Sequence, residues 1–207
     1  MNNIFEWNGP FYRFLEKIVD LLLLNALFLI SCLPIVTIGS ALTAMYSITI
    51  KMARNEDVSI VRGYVAAFHK NFKQSTIIWL ILLAVGIVLY MDYYYLNQYT
   101  GNLLFLVKVS LGLFSFAYLL LFNFIFPYVA RFENSVKDSI INTWKIALVH
   151  PFKTMSVLMI TMIPILTLWI SAYSLFFLLY FCLFIGFSFF AYINTFIILH
   201  IYEGYEK

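Results

Sequence analysis

The residues of this 207-residue chain that could do ionic chemistry include two Arg-x-Glu triplets, Arg54-Asn55-Glu56 and Arg131-Phe132-Glu133. Residues two apart on a helix do not face each other, so neither triplet is an internal ion pair. A pairing across the triplets, Arg54 with Glu133 or Arg131 with Glu56, is the sharper expectation. The plainer one has the arginines as anchors on the cytoplasmic side and the acids as favourable charges at helix N-termini. His69, His150 and His200 have no HxxxH or CxxC neighbours, and Cys32 and Cys182 lie inside apolar runs as small packing residues, so no metal site has spacing in its favour. The sequence carries no glycine-rich phosphate loop, nucleophile elbow or paired catalytic carboxylates. The expectation is therefore a non-enzyme, with no catalytic residues and no cofactor.

The most distinctive apolar stretch runs from Cys32 to Tyr46. In it Gly39, Ser40, Thr43 and Ala44, followed by Ser47, recur at three- and four-residue intervals. That spacing makes one helix face of small side chains against which a neighbour can pack closely. Pro34 offers a second reading, a kinked and partly unwound helix whose freed carbonyls face a substrate, as in a small transporter or permease. Pro34 and Gly39 thus join Arg54, Glu56, Arg131 and Glu133 as candidate structural or partner-binding residues. Asn25, Asn123 and Asn194 fall in apolar runs, where hydrogen bonds between helices are the default use.

These residues must be positioned by helices in lipid. Hydrophobic residues make up 63% of the chain and charged residues 11%, too few to cover a water-facing surface. The net charge of +3 carries no nucleic-acid inference, because charge in such a chain is read by location. The uncharged intervals 21–50, 74–91, 109–130 and 154–202 mark the spans. The last would reach about 74 Å as one helix, more than twice a hydrocarbon core, so it must be a hairpin, with a turn near Ser171-Ala172-Tyr173-Ser174 beside Trp169. The expectation is an all-α polytopic transmembrane bundle forming a single membrane domain over 1–207. Its spans lie near 21–46, 74–95, 103–129, 153–171 and 175–200.

Lys51, Arg54, Arg62, Lys70 and Lys73 in one segment, and Arg131, Lys137, Lys145 and Lys153 in another, place both segments in the cytoplasm. Five spans then put the N-terminus outside, against the pull of Arg13 and Lys17. If 21–50 is instead a broken pair of half-helices meeting near Pro34 and Gly39, the N-terminus returns to the cytoplasm. Each basic segment also carries an apolar stripe at helical spacing. Ile60, Val61, Tyr64, Val65, Phe68 and Phe72 form one, and Val136, Ile140, Trp144, Ala147 and Leu148 the other, which predicts two amphipathic helices at the cytoplasmic interface. Asp57 can cap the first, and Ser135-Val136-Lys137-Asp138 has the form of a capping box for the second. His69-Lys70-Asn71-Phe72-Lys73 corresponds to His150-Pro151-Phe152-Lys153, so 21–95 and 103–171 read as a parallel repeat of span, interfacial helix, span.

The Cys32–Tyr46 run, Arg54-Asn55-Glu56 leading to Asn71-Phe72-Lys73-Gln74, and Ala130-Arg131-Phe132-Glu133-Asn134 together resemble the YesL-like family of bacterial membrane proteins, a domain of unknown function. The resemblance implies a multi-pass protein of the bacterial plasma membrane. Genes of that family commonly lie beside sugar ABC transporters and polysaccharide-degrading enzymes, which implies a non-catalytic accessory or partner of carbohydrate uptake or sensing. It brings no ligand or catalytic residues with it.

Overall fold

The computed structural model describes residues 10–96, 98, 104–167 and 171–205. Among them the regular elements are all helical. The run expected as one span over 21–46 is two helices. α1 (Pro10–Ser31) ends, a 3-10 turn occupies Ile35–Thr37, and α2 (Ile38–Ala53) follows. The cause is Pro34, which lacks an N–H and disfavours helical backbone at the residue before it; it sits extended at φ −80°, ψ 120°. α1 also begins well before Leu21 and takes Arg13, Glu16, Lys17 and Asp20 into its first turns. α2 then turns back along α1. Lys17 Nζ lies 3.4 Å from Asn55 Oδ1, and the charged start of α1 shares a cleft with Asn55, Glu56 and Asp57. The ends on either side of Pro34 therefore meet, which is the broken-pair arrangement.

α2 is the helix the others surround. Over its apolar length, 56% is buried within the protein, against 17%, 11% and 17% for α3 (Ile60–Leu96), α4 (Leu104–Arg131) and the Tyr173–Tyr202 stretch. Gly39, Ser40, Thr43 and Ala44 are all buried. A Cβ on Gly39 would lie 2.4 Å from the Ser75 carbonyl oxygen and 2.5 Å from Trp79 Cβ, so only glycine permits this approach to α3. Beside it Ser40 Oγ donates to the Phe72 carbonyl at 3.1 Å, and Thr43 Oγ1 and Ser75 Oγ share a hydrogen bond of 2.8 Å. The small-residue stripe is a packing face.

The two basic segments differ in form. In the first, the amphipathic stretch and the expected span are one unbroken helix, α3, with no helix boundary between His69 and Trp79. α3 starts at Ile60, which leaves Asp57 outside the capping position. In the second, α5 (Val136–Val149) and α6 (Pro151–Thr167) meet at a 103° bend. Pro151 occupies the first helical position of α6, and His150 leaves the helix at φ −117°, ψ 60°. The first segment has no proline at the corresponding place. Ser135 caps α5, its Oγ accepting from Asp138 N at 3.2 Å.

α7 (Ala172–Phe181) starts at Ser171, where Ser171 and Ser174 form a reciprocal capping box; Trp169, expected beside this turn, lies outside the described residues. A π turn, Cys182–Gly186, joins α7 to α8 (Phe187–Tyr202). A π turn leaves backbone groups out of the i to i−4 ladder. Asn25 takes them up. Its Nδ2 donates to the carbonyls of Cys182 and Leu183 at 3.0 and 2.9 Å, and its Oδ1 accepts from Ser188 N at 3.2 Å. Among the described residues, four helical stretches are long and apolar enough to cross a membrane, or five if the bent pair is counted as one.

Gly39→Ala should lower the midpoint of thermal unfolding in detergent by an amount matching the ~1–3 kcal/mol of an overpacked contact, whereas Ser47→Ala should leave it nearly unchanged; equal midpoints for the two variants would refute the close approach. Single cysteines at Glu16 and Glu56 should react with an impermeant reagent from one and the same side of the membrane. Opposite sidedness would contradict the α1–α2 hairpin.

Candidate functional site

The two triplets do different local work. α2 ends in a Schellman stop: the Glu56 N–H donates to the Lys51 carbonyl at 3.0 Å and the Asn55 N–H to the Met52 carbonyl at 3.2 Å. Asn55 lies at φ 55°, in the left-handed region, which asparagine tolerates better than most residues. Glu56 then lines a cleft of about 1100 Å³ with Asn55, Asp57 and the α1 residues Arg13, Glu16, Lys17 and Asp20. At the other triplet, Arg131 closes α4 and Phe132 turns inward. Its ring lies 4.8 Å from that of Tyr128 and 5.2 Å from that of Tyr202. Burying that ring helps aim Glu133, whose side chain is 80% exposed, into water.

Glu133 meets a cation there, and that cation is Lys70 of α3. This pair crosses between the two basic segments. Lys70 and Gln74 stand one helical turn apart, on one face. Gln74 Nε2 donates to the Asn134 carbonyl at 2.9 Å and to Ser139 Oγ at 3.0 Å. Asn134 and Asn142 both donate to the Tyr128 hydroxyl, at 2.8 and 3.0 Å. Lys70, Asn71, Gln74, Glu133, Asn134 and Ser135 thereby enclose a polar recess of about 530 Å³. Amide groups beside an exposed ion pair suit hydrogen bonding to a polar ligand or a protein loop. An exposed pair of this kind contributes little to stability.

The hydrogen bond from Lys70, and then its charge, hold the Glu133 carboxyl below the ordinary glutamate range. Any stabilisation it lends is present above the ordinary carboxylate range and is lost as pH falls through the lowered value.

Pro34 and Gly39 lie away from this recess and are architectural. Three carbonyls at the Pro34 break, those of Ser31, Pro34 and Ile35, are engaged by side chains. The Thr37 hydroxyl lies 2.6 Å from the Ser31 oxygen and 2.7 Å from that of Pro34, and Trp79 Nε1 donates to the Ile35 carbonyl at 2.8 Å. Asn123 and Asn194 meet within the bundle through Thr161, which no spacing had singled out. Thr161 Oγ1 donates to Asn123 Oδ1 at 2.7 Å and Asn194 Nδ2 reaches Thr161 Oγ1 at 3.2 Å. These bonds tie α4, α6 and α8 together. Among the described residues no three His, Cys, Asp or Glu side chains gather as a metal site would need.

Helix content, span length and this charged end define a polytopic all-α membrane bundle. Residues 21–93 match the family model described as "Protein of unknown function, DUF624", and over that stretch the resemblance to the YesL-like family holds. No curated protein and no solved structure gives a match.

In a carbon-13 NMR titration the Glu133 carboxyl should titrate below an ordinary glutamate, and Lys70→Met should move it upward. An unchanged midpoint in the variant would remove the ion pair.

Proposed function

We infer that this chain is a non-catalytic accessory or partner protein of a carbohydrate uptake or sensing system, embedded in the bacterial plasma membrane with its charged end in the cytoplasm. The observation that carries this reading is convergence. Asn71–Gln74 and Arg131–Asn134, two of the stretches on which the family resemblance rests, lie far apart in the chain yet build one water-facing recess. Its donors and acceptors are amides, a hydroxyl, an ammonium and a carboxylate, the groups with which a protein partner's loop is read. Lys70, Lys73, Lys137, Lys145 and Lys153 belong to the segments flanking it, so the positive-inside rule sets this end in the cytoplasm. The α1–α2 hairpin brings Arg13 and Lys17 to the Arg54–Asp57 segment and relieves the strain that five simple spans would place on that rule. The partner proposed is a component of a sugar ABC transporter. A permease acting through the Pro34 break is disfavoured, because the Ser31, Pro34 and Ile35 carbonyls at the break are engaged by Thr37 and Trp79.

Extraction in mild detergent should co-isolate a sugar-transport component. Lys70→Glu combined with Gln74→Ala should reduce its recovery by about tenfold or more while membrane abundance stays constant. A protein that emerges alone, and whose reconstituted vesicles accumulate a labelled oligosaccharide, would replace this reading with transport.

A further inference from the structure

The bent pair α5–α6 has a use that neither the recess nor the hairpin supplies. Its inner side is packed: Ser139, Thr143, Ile146 and Ala147 are buried, and the Thr154 hydroxyl donates to the Ala147 carbonyl at 3.0 Å across the corner, stapling the angle. Its outer side is open. Lys137, Ile141, Lys145 and Leu148 follow one another at four-, four- and three-residue intervals, all exposed. At the corner Val149 is 62% and Phe152 89% exposed.

The stripe does not stop there. Met155, Met159, Ile163 and Leu166 are exposed along α6 at the same helical spacing, so exposed apolar side chains lie on both sides of the corner. A bend of 103° means that if α6 crosses the bilayer, α5 lies along its surface. On α5 the stripe changes character as a surface helix should, with lysines alternating with apolar residues. Lysine stems can lie along apolar surface while their ammonium groups reach out to phosphates. Asp138 is the one acid in α5, and it is turned to the Ser135 cap.

We propose that the α5–α6 corner is a lipid anchor: Leu148, Val149 and Phe152 insert into the headgroup layer of an anionic leaflet, and Lys137 and Lys145 bind its phosphates. The occupant is the membrane surface, because exposed apolar residues on α6 lead up to the corner and the lysines flanking it are complementary to anionic headgroups. The anchor also fixes the height of the neighbouring Lys70–Glu133 recess above the bilayer, since Ser135, the cap of α5, lines it.

The test places an environment-sensitive fluorophore on a cysteine at position 152, and separately at 148, in full-length protein in which Cys32 and Cys182 are alanine. The protein is reconstituted into phosphatidylcholine vesicles with or without phosphatidylglycerol. The label should be quenched by lipids brominated near the headgroup and shielded from aqueous iodide, more so with phosphatidylglycerol present. Lys137→Gln with Lys145→Gln should raise the ratio of iodide to lipid quenching in the anionic vesicles, by up to about fivefold per lysine, and abolish the difference between vesicle types. Free access of iodide to the label overturns the proposal. So does shielding from both quenchers, which would mean that protein covers the face. The comparison between vesicle types needs no lysine variant, so a failure of the double variant to fold leaves the test intact.

Discussion

The tightest glycine contact among the described residues is that of α2 with α3 at Gly39, where the α2 backbone lies against the Ser75 carbonyl and Trp79 Cβ. In lipid, helices gain nothing from hiding apolar surface from water, and association rests on van der Waals packing with a contribution from hydrogen bonds. A hydroxyl bond such as Thr43 to Ser75 is worth about 0.6 kcal/mol on average in this setting, less than the ~1–3 kcal/mol that one misplaced methyl costs in a filled contact. Shape therefore dominates, and the hydroxyls fix register. From this seam α2 reaches α1, α4 and α8 as well, so a fault at Gly39 would be felt by helices on every side.

Much of the architecture was legible because charge and proline are expensive in helices that cross lipid. The uncharged intervals located the apolar helices, and Ser135 marked the start of α5 where the structure has it, whereas Ala172-Tyr173-Ser174, read as part of a turn, form the first turn of α7. Pro34 was visible, yet the length of 21–50 admitted both a single kinked span and a hairpin. What decided between them is the meeting of Lys17 with Asn55, a contact between residues whose spacing in the chain says nothing about their distance. The unbroken α3 was readable in principle. Its basic segment lacks the proline that bends its counterpart at His150, and a repeat invites one form to be imposed on both copies.

The recess was less legible. Lys70 and Gln74 share a helix face, which spacing can show, but their partners lie on the loop after α4 and on α5, and they meet only through the packing of α3 on α4, where Trp79 lies against Phe122. Charge alone singled out Glu133, while its contact with Lys70 depends on that packing. In Arg54-Asn55-Glu56 the charges drew notice, while the middle residue, Asn55, is a helix stop.

The π turn at Cys182–Gly186 leaves one residue more than an α-helical ladder would hold, and each residue is worth about 100° of rotation. It acts as a phase shift within a single membrane crossing. Leu175, Phe176, Phe177, Leu179 and Tyr180 before it face outward, while Ala191, Asn194, Thr195 and Ile198 after it face the bundle. A straight helix of the same composition would have to spread its contacts around a drifting stripe. With the offset stitched in place by Asn25, one half of the crossing is tuned to lipid and the other to protein, each with a face of its own.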